Sequence, residues 1–285
     1  MIVVVILYVT LLSSVASADI ETVKIHSYDQ LTGVLHEALQ SHTKEIHFDL
    51  YDSTENIEKK ILDAADKVNY YGDYISQTRN MFYWSWLTFG PNLSKIEFRI
   101  TYFETPEQTQ YVDQVVNETI SSIIKPGMDD FTKEKVIHDW IVNRLSYDYG
   151  LIEQSAFAGI VPPYKTVCQG YSLLANNMLS KAGIENKIVY GWNEGSAHSW
   201  NLVKLDGHWY HLDVTWNDNG NSYDYYNLTD DQISSTRTWF REYYPAAGTD
   251  FKVALKQKHR QGKNVLEFAA MGHLFRSLYK QSNND

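Results

Sequence analysis

The chain has a single cysteine, Cys168, in 285 residues. One thiol forms no internal disulfide, so the fold is unstapled and the thiol is either packed or used. Basic blocks are missing too, and the formal net charge is −10. Nucleic acid and anionic membrane surfaces are therefore poor partners. Internal repeats and low-complexity stretches are absent, which excludes a repeat array. The longest apolar run, Ile2 to Leu12, is short for a membrane span and has the length of a signal h-region. Ala16-Ser17-Ala18 offers a small-x-small cleavage site, although no Lys or Arg precedes the run. The expectation is a signal peptide over 1–18, export, and a secreted or cell-envelope location without stable membrane insertion. No cysteine flanks the cleavage site, which argues against a lipid anchor there.

The remaining chain is ample for a core. Hydrophobic residues make up 44% and charged residues 21%, the balance of a folded protein. Aromatic content is 14%, with 21 Tyr and 8 Trp, enough to serve both packing and a groove for peptide or sugar. Residues 19–104 read as mixed α and β: helices over Tyr28 to Ser41 and from Ser53-Thr54-Glu55-Asn56 to about Val68, strands at Glu45 to Leu50, Met81 to Phe89 and Lys95 to Phe103. This region shows no known catalytic motif. From 105 to 285 a second region begins with Thr105-Pro106-Glu107, a helix start with proline in its first turn. A helix from Phe131 to about Leu145 has Val136, Ile137, Trp140, Ile141 and Leu145 as its expected buried stripe.

Cys168 opens the best-marked helix. Tyr171, Leu174, Ala175, Met178, Leu179 and Ala182 recur at helical spacing behind it, and Gly183 supplies the stop. A thiol at a helix N-terminus meets unpaired N–H groups and the positive dipole end, which favour the nucleophilic thiolate. A buried, inert thiol is the competing reading. After Gly183 come strands at Asn186 to Trp192, His198 to Leu205 and His208 to Thr215, the last two joined by Asp206-Gly207, a two-residue hairpin signal. If Leu205 pairs with His208, Trp200 lies opposite Asp213, and His198 becomes a diagonal neighbour of Asp213 on one face. A one-residue slip would part them. Beyond Trp216 the chain is polar and aromatic, with a helix expected at Asn264 to Tyr279.

Cys168 then reads as nucleophile, His198 as general base and acid, and Asp213 as the group that orients the imidazole. The Cys168 N–H is one oxyanion donor. For a second donor or a substrate contact, Tyr147, Gln154 and Gln169 are the candidates. His198, His211 and Asp213 also share the expected face, a possible two-His, one-carboxylate metal set that leaves the Cys168 helix unexplained.

Thr166-Val167-Cys168-Gln169-Gly170-Tyr171, His198-Ser199-Trp200-Asn201-Leu202-Val203 and Trp209-Tyr210-His211-Leu212-Asp213-Val214-Thr215-Trp216 together resemble the transglutaminase-like superfamily, within the wider papain-like thiol enzymes. The resemblance covers roughly residues 131–218. It implies an α+β fold with the Cys on a helix packed against an antiparallel sheet, preceded by an N-terminal α/β extension, and a triad of Cys168, His198 and Asp213. The implied chemistry is acyl transfer from peptide or glutamine amides through a thioester. Hydrolysis and transamidation both remain open, as does a non-catalytic binding module on the same fold. The residues after the nucleophile are Gln169-Gly170-Tyr171, as in bacterial members, where animal transglutaminases typically carry Trp. No calcium site of the animal enzymes matches, so no cofactor and no metal are expected. The expected partner is a protein or peptide substrate, in keeping with a cell-envelope setting.

Overall fold

A computed structural model describes residues 22–68, 74–218 and 222–260. The signal segment and the helix expected at Asn264 to Tyr279 lie outside the described residues. The chain divides into two compact units, Met1–Pro106 and Glu107–Asp285.

The first unit runs β1 (Thr22–Ile25), α1 (Tyr28–Gln40), β2 (Glu45–Leu50), α2 (Ile57–Val68), α3 (Tyr74–Gln77), β3 (Arg79–Thr88) and β4 (Ser94–Tyr102). Its sheet has the order β1-β2-β4-β3, with β1 and β2 parallel and the other pairs antiparallel. Helix α1 is the crossover that a parallel β1–β2 pair requires. Its Leu31, Leu35 and Leu39 and the Ile61 and Ala65 of α2 are buried with Phe48 and Phe98 of the sheet.

The second unit runs α4 (Pro106–Ile123), α5 (Asp130–Arg144), β5 (Ser146–Tyr147), α6 (Ala156–Ile160), β6 (Lys165–Thr166), α7 (Cys168–Lys181), β7 (Asn186–Asn193), β8 (Ser196–Leu205), β9 (His208–Leu212), α8 (Val214–Asp218), α9 (Asp230–Ile233), β10 (Arg237–Trp239) and α10 (Phe251–Arg260). The expected strand from His208 to Thr215 therefore stops at Leu212 and turns into α8. Asp213 sits between the two, and its Oδ1 accepts the Trp216 N–H at 3.2 Å, the bond of a helix cap.

The main sheet has the order β10-β7-β8-β9, all antiparallel. Asp206 and Gly207 both have positive φ, 51° and 84°, as a tight hairpin turn matched to strand twist demands. Leu205 pairs with His208 and Asn201 with Leu212, the register counted outward from that turn. One sheet face packs on α7: Ser199 Oγ lies 3.2 Å from Ser172 Oγ, and the Asn201 amide donates to the Ser172 carbonyl at 3.1 Å. The other face, with Val189, Trp200 and Leu202, is covered by Ile233, Trp239 and Ala247 from the chain after α8. Both faces are buried, so α7 is enclosed and the sheet is a central layer of an α+β domain.

Helix α5 departs from its expected stripe. Ile137, Ile141 and Leu145 are buried, but Val136 and Trp140 are only half-buried, and Glu134, Lys135 and His138 are buried in their place. The helix thus turns a partly polar face inward, which hydrophobic periodicity does not register.

Candidate active site

The helix that carries Cys168 is set by close backbone contact. A Cβ on Gly170 would lie 2.0 Å from Thr166 Oγ1 and 2.4 Å from the Ser155 carbonyl, so only glycine lets the first turn approach this closely. Thr166 Oγ1 in turn donates to the carbonyls of Glu153 and Ser155, at 3.0 Å each. Val167 is the N-cap and supplies no side-chain acceptor, so the helix start is left open at the thiol.

Strand β8 brings His198 to that thiol. The His198 ring and the N–H and hydroxyl of Ser199 lie close enough to the Cys168 thiol to act on its charge. His198 Nε2 lies 2.7 Å from Asp213 Oδ2, which leaves Nδ1 as the ring nitrogen for the sulfur. The side chains of His198 and Asp213 are 6% and 0% exposed, so the contact is shielded from water. The His198 ring stacks on Trp200 at 5.8 Å between centroids. Directly opposite His198, a Cβ on Gly191 would meet the Thr238 carbonyl at 2.3 Å and the Trp200 ring at 2.8 Å, so this position also has no room for a side chain.

Electrostatics follow from this enclosure. Burial alone would push the Cys168 thiol up, but the His198 hydrogen bond and charge, with the Ser199 donors, hold it below its ordinary value. Burial would pull His198 down, yet the Asp213 charge and hydrogen bond, followed by Cys168, push it up to about 9. Asp213 resists its own burial and stays below the ordinary carboxylate range through His198 and Arg237. Thiolate and imidazolium are thus favoured together, the pair that thiol catalysis uses.

The structure sorts the remaining candidates. Tyr147 lies close enough to Cys168 for the sulfur's charge, after burial, to raise its hydroxyl, so it stays a proton donor. Gln169 is buried and donates to Tyr190 Oη at 3.2 Å. Gln154 is exposed on the loop before α6. His211 shares the sheet face of His198 and Asp213, but both its ring nitrogens are committed, Nδ1 to the Trp200 N–H at 2.8 Å and Nε2 to Asp230 at 2.8 Å. The His198, His211 and Asp213 metal set is therefore not assembled. Among the described residues, the grouping with metal-ligating geometry is Glu45, His47 and Glu97 in the first unit, where Arg99 already pairs with Glu97 at 2.7 Å.

Two features escape sequence reasoning. Arg237, on β10, donates to Asp213 Oδ2 through Nη2 at 2.8 Å and Nε at 3.2 Å. Behind the Asp213 turn lies a buried polar network. Asn217 donates its backbone N–H to the Asp213 carbonyl at 3.1 Å, and its amide lies 3.1 Å from His138 Nε2. His138 is buried within α5, and its Nδ1 is 2.9 Å from Asp139. The Glu134-to-His138 spacing on one helix face was the available signal for this network. Arg237 offered none, as one cation in a polar-aromatic stretch.

Residues 117–214 match the family model of the transglutaminase-like superfamily. These residues are similar to a transglutaminase-like core. Within it lie the Cys168 helix, the His198 strand and Asp213; Arg237 lies beyond its matched end. The chain is similar to kyphoscoliosis peptidase of Mus musculus, 29% identical over 118 residues, which covers 35% of this chain and 18% of that protein. The Homo sapiens protein of the same name is 28% identical over 118 residues, with the same coverage. The chain spans less than a fifth of the length of these curated relatives. Among solved structures, a TGase shares 15% identity and a TM-score of 0.35 over 68% of this chain and 59% of that one.

Proposed function

We propose that this chain is a thiol-dependent acyl-transfer enzyme that cleaves amides of protein or peptide substrates, with Cys168 as nucleophile. One observation carries the reading: the His198 ring, which acts on the Cys168 thiol, lies 2.7 Å through Nε2 from a fully buried carboxylate, Asp213. The Cys168 thiolate attacks the amide carbon and a C–S bond forms, with the oxyanion facing the Cys168 N–H and the Tyr147 hydroxyl. The C–N bond then breaks as His198 gives its proton to the departing nitrogen. Water, deprotonated by His198, attacks the thioester; a C–O bond forms and the C–S bond breaks, which restores the thiolate. Asp213 holds the imidazole in register and supports its charge.

The peptidase name of the curated relatives favours water over an amine as the acceptor. A polypeptide substrate agrees with the exposed apolar residues on the loop that follows Tyr147. Tyr149, Leu151 and Ile152 are 84%, 62% and 77% exposed on the loop after β5. That loop is held rigid by Asp148, whose carboxylate accepts the N–H groups of Gly150, Ile152 and Glu153. Tyr147, which senses the Cys168 charge, packs edge-on against Tyr149 at 5.2 Å and so links the exposed loop to the site. The N-terminal apolar run, Ile2 to Leu12, supports an exported setting. No helix of the described residues is long and apolar enough to cross a membrane.

The test compares wild type with Cys168→Ala on casein and on glutamine peptides, measuring new peptide termini, ammonia and incorporated amine. New termini from wild type alone support hydrolysis. Ammonia without amine uptake indicates deamidation, and amine uptake indicates transamidation. Activity retained by Cys168→Ala refutes the assignment.

A further inference from the structure

Asp213 is fully buried, and a carboxylate in that position facing only an imidazole has two ways to settle. It stays charged beside an imidazolium, or it takes the proton and leaves a neutral pair, which a dry environment favours. The neutral pair gives His198 no electrostatic support. Arg237 removes that choice. Its guanidinium reaches the same Oδ2 that His198 uses, at 2.8 Å from Nη2 and 3.2 Å from Nε, against 2.7 Å for the imidazole. The arginine is itself 1% exposed. Nη1 donates to Asn193 Oδ1 at 2.5 Å, and the rings of Trp216 and Tyr225 each lie 4.7 Å from its Cζ. An arginine packed against two aromatic rings and tied at both ends of its fork does not swing away, and it does not lose its proton.

We propose that Arg237 is a positioning residue that keeps Asp213 a permanent carboxylate and sets the charge balance of the Cys168–His198 pair. The inference rests on the thiol reading above. Sulfur, imidazole, carboxylate and guanidinium form a series of alternating charge that sums to zero. The guanidinium shares Oδ2 with His198, so it tempers the hold of Asp213 on the imidazole proton and leaves that proton transferable. Its positive field also favours the thiolate at the far end. The other ionisable groups facing this series are Tyr147, opposite Cys168, and His211, beside Asp213, which burial keeps neutral.

The experiment is the rate of iodoacetamide alkylation of Cys168 as a function of pH, in wild type, Arg237→Gln and Arg237→Lys. Loss of a positive charge raises the proton affinity of both the thiol and the imidazole. Both limbs of the Arg237→Gln profile should therefore move up together, by on the order of one pH unit at the screening of a partly shielded site. Arg237→Lys, which keeps the charge, should leave both limbs near their wild-type positions. A merely structural role lowers the amplitude and moves neither limb. Unmoved limbs in Arg237→Gln, or limbs displaced equally in Arg237→Lys, overturn the proposal. A wild-type profile with no thiolate limb below the ordinary thiol range fails the thiol reading instead. A measurement on wild type guards against a variant that does not fold: the Asp213 carboxyl carbon, followed by 13C NMR and assigned with Asp213→Asn. It should stay at its ionised shift through the His198 titration, and protonation of Asp213 in the folded protein refutes the role.

Discussion

Glu134 provides a quantitative test of how the core of the second unit is built. Its side chain is fully buried; Oε2 accepts the Tyr226 hydroxyl at 2.7 Å and the Asn227 amide at 2.8 Å, while Oε1 has no hydrogen-bond partner among the described residues. Burial outweighs those two donors and pushes the carboxyl up from 4.5 to about 8. The folded state therefore binds a proton that the unfolded chain releases above about pH 4.5. Its stability contribution is intact below that pH and falls as pH rises towards the folded value near 8. At about 1.4 kcal/mol per pH unit, the full loss is on the order of 5 kcal/mol, an upper figure because relaxation and water entry soften it. Glu134→Gln imitates the protonated acid and carries no such proton. Urea unfolding from about pH 5 to 9, followed by tryptophan fluorescence, reports mainly on the second unit, which holds six of the eight tryptophans. The difference between wild type and Glu134→Gln should widen steadily with pH, by several kcal/mol, while titrations common to both proteins cancel. Parallel stability curves over that range would refute the reasoning.

Other perturbations test the site directly. Gly170→Ala forces a methyl into Thr166 and the Ser155 carbonyl; it should cost about 1–3 kcal/mol in urea unfolding and slow Cys168 alkylation, and an unchanged midpoint would sink the packing argument. Asp213→Asn removes the charge that lifts His198 to about 9. The alkaline limb of Cys168 alkylation should then move to lower pH by one unit or more, and an unmoved limb would separate Asp213 from the imidazole's titration. Replacing Tyr149, Leu151 and Ile152 together with serine should raise KM for apolar peptides about tenfold, while iodoacetamide alkylation of Cys168 stays at the wild-type rate; unchanged peptide kinetics would remove the strip from the substrate path.

The residues that were readable from sequence share a property: their partners are close along the chain or related by a fixed periodicity. Asp206-Gly207 anchors the β8–β9 register, and that register alone made His198 and Asp213 neighbours. The α7 helix was visible because its apolar spacing is dense and Gly183, with φ 81°, ends it. What stayed hidden lacks such markers. Strand β9 gives way to α8 because Asp213 caps a helix, and a capping aspartate looks like any polar residue until its hydrogen bonds are seen. Glu134, Lys135 and His138 are buried because residues 79 to 93 positions later pair with them: Asn217 with His138, Tyr223 with Lys135, and Tyr226 and Asn227 with Glu134. Arg237 reaches Asp213 through strand β10, three residues long and too short for an alternation pattern.

The chain between α8 and α10 has a practical consequence for anyone who trims this protein. A fragment cut where the family match ends, at residue 214, would keep sulfur, imidazole and acid yet strip the roof from Val189, Trp200 and Leu202. It would also leave Asp213 without its guanidinium. Such a fragment should be sticky and inert, so expression designs ought to retain the sequence through residue 260.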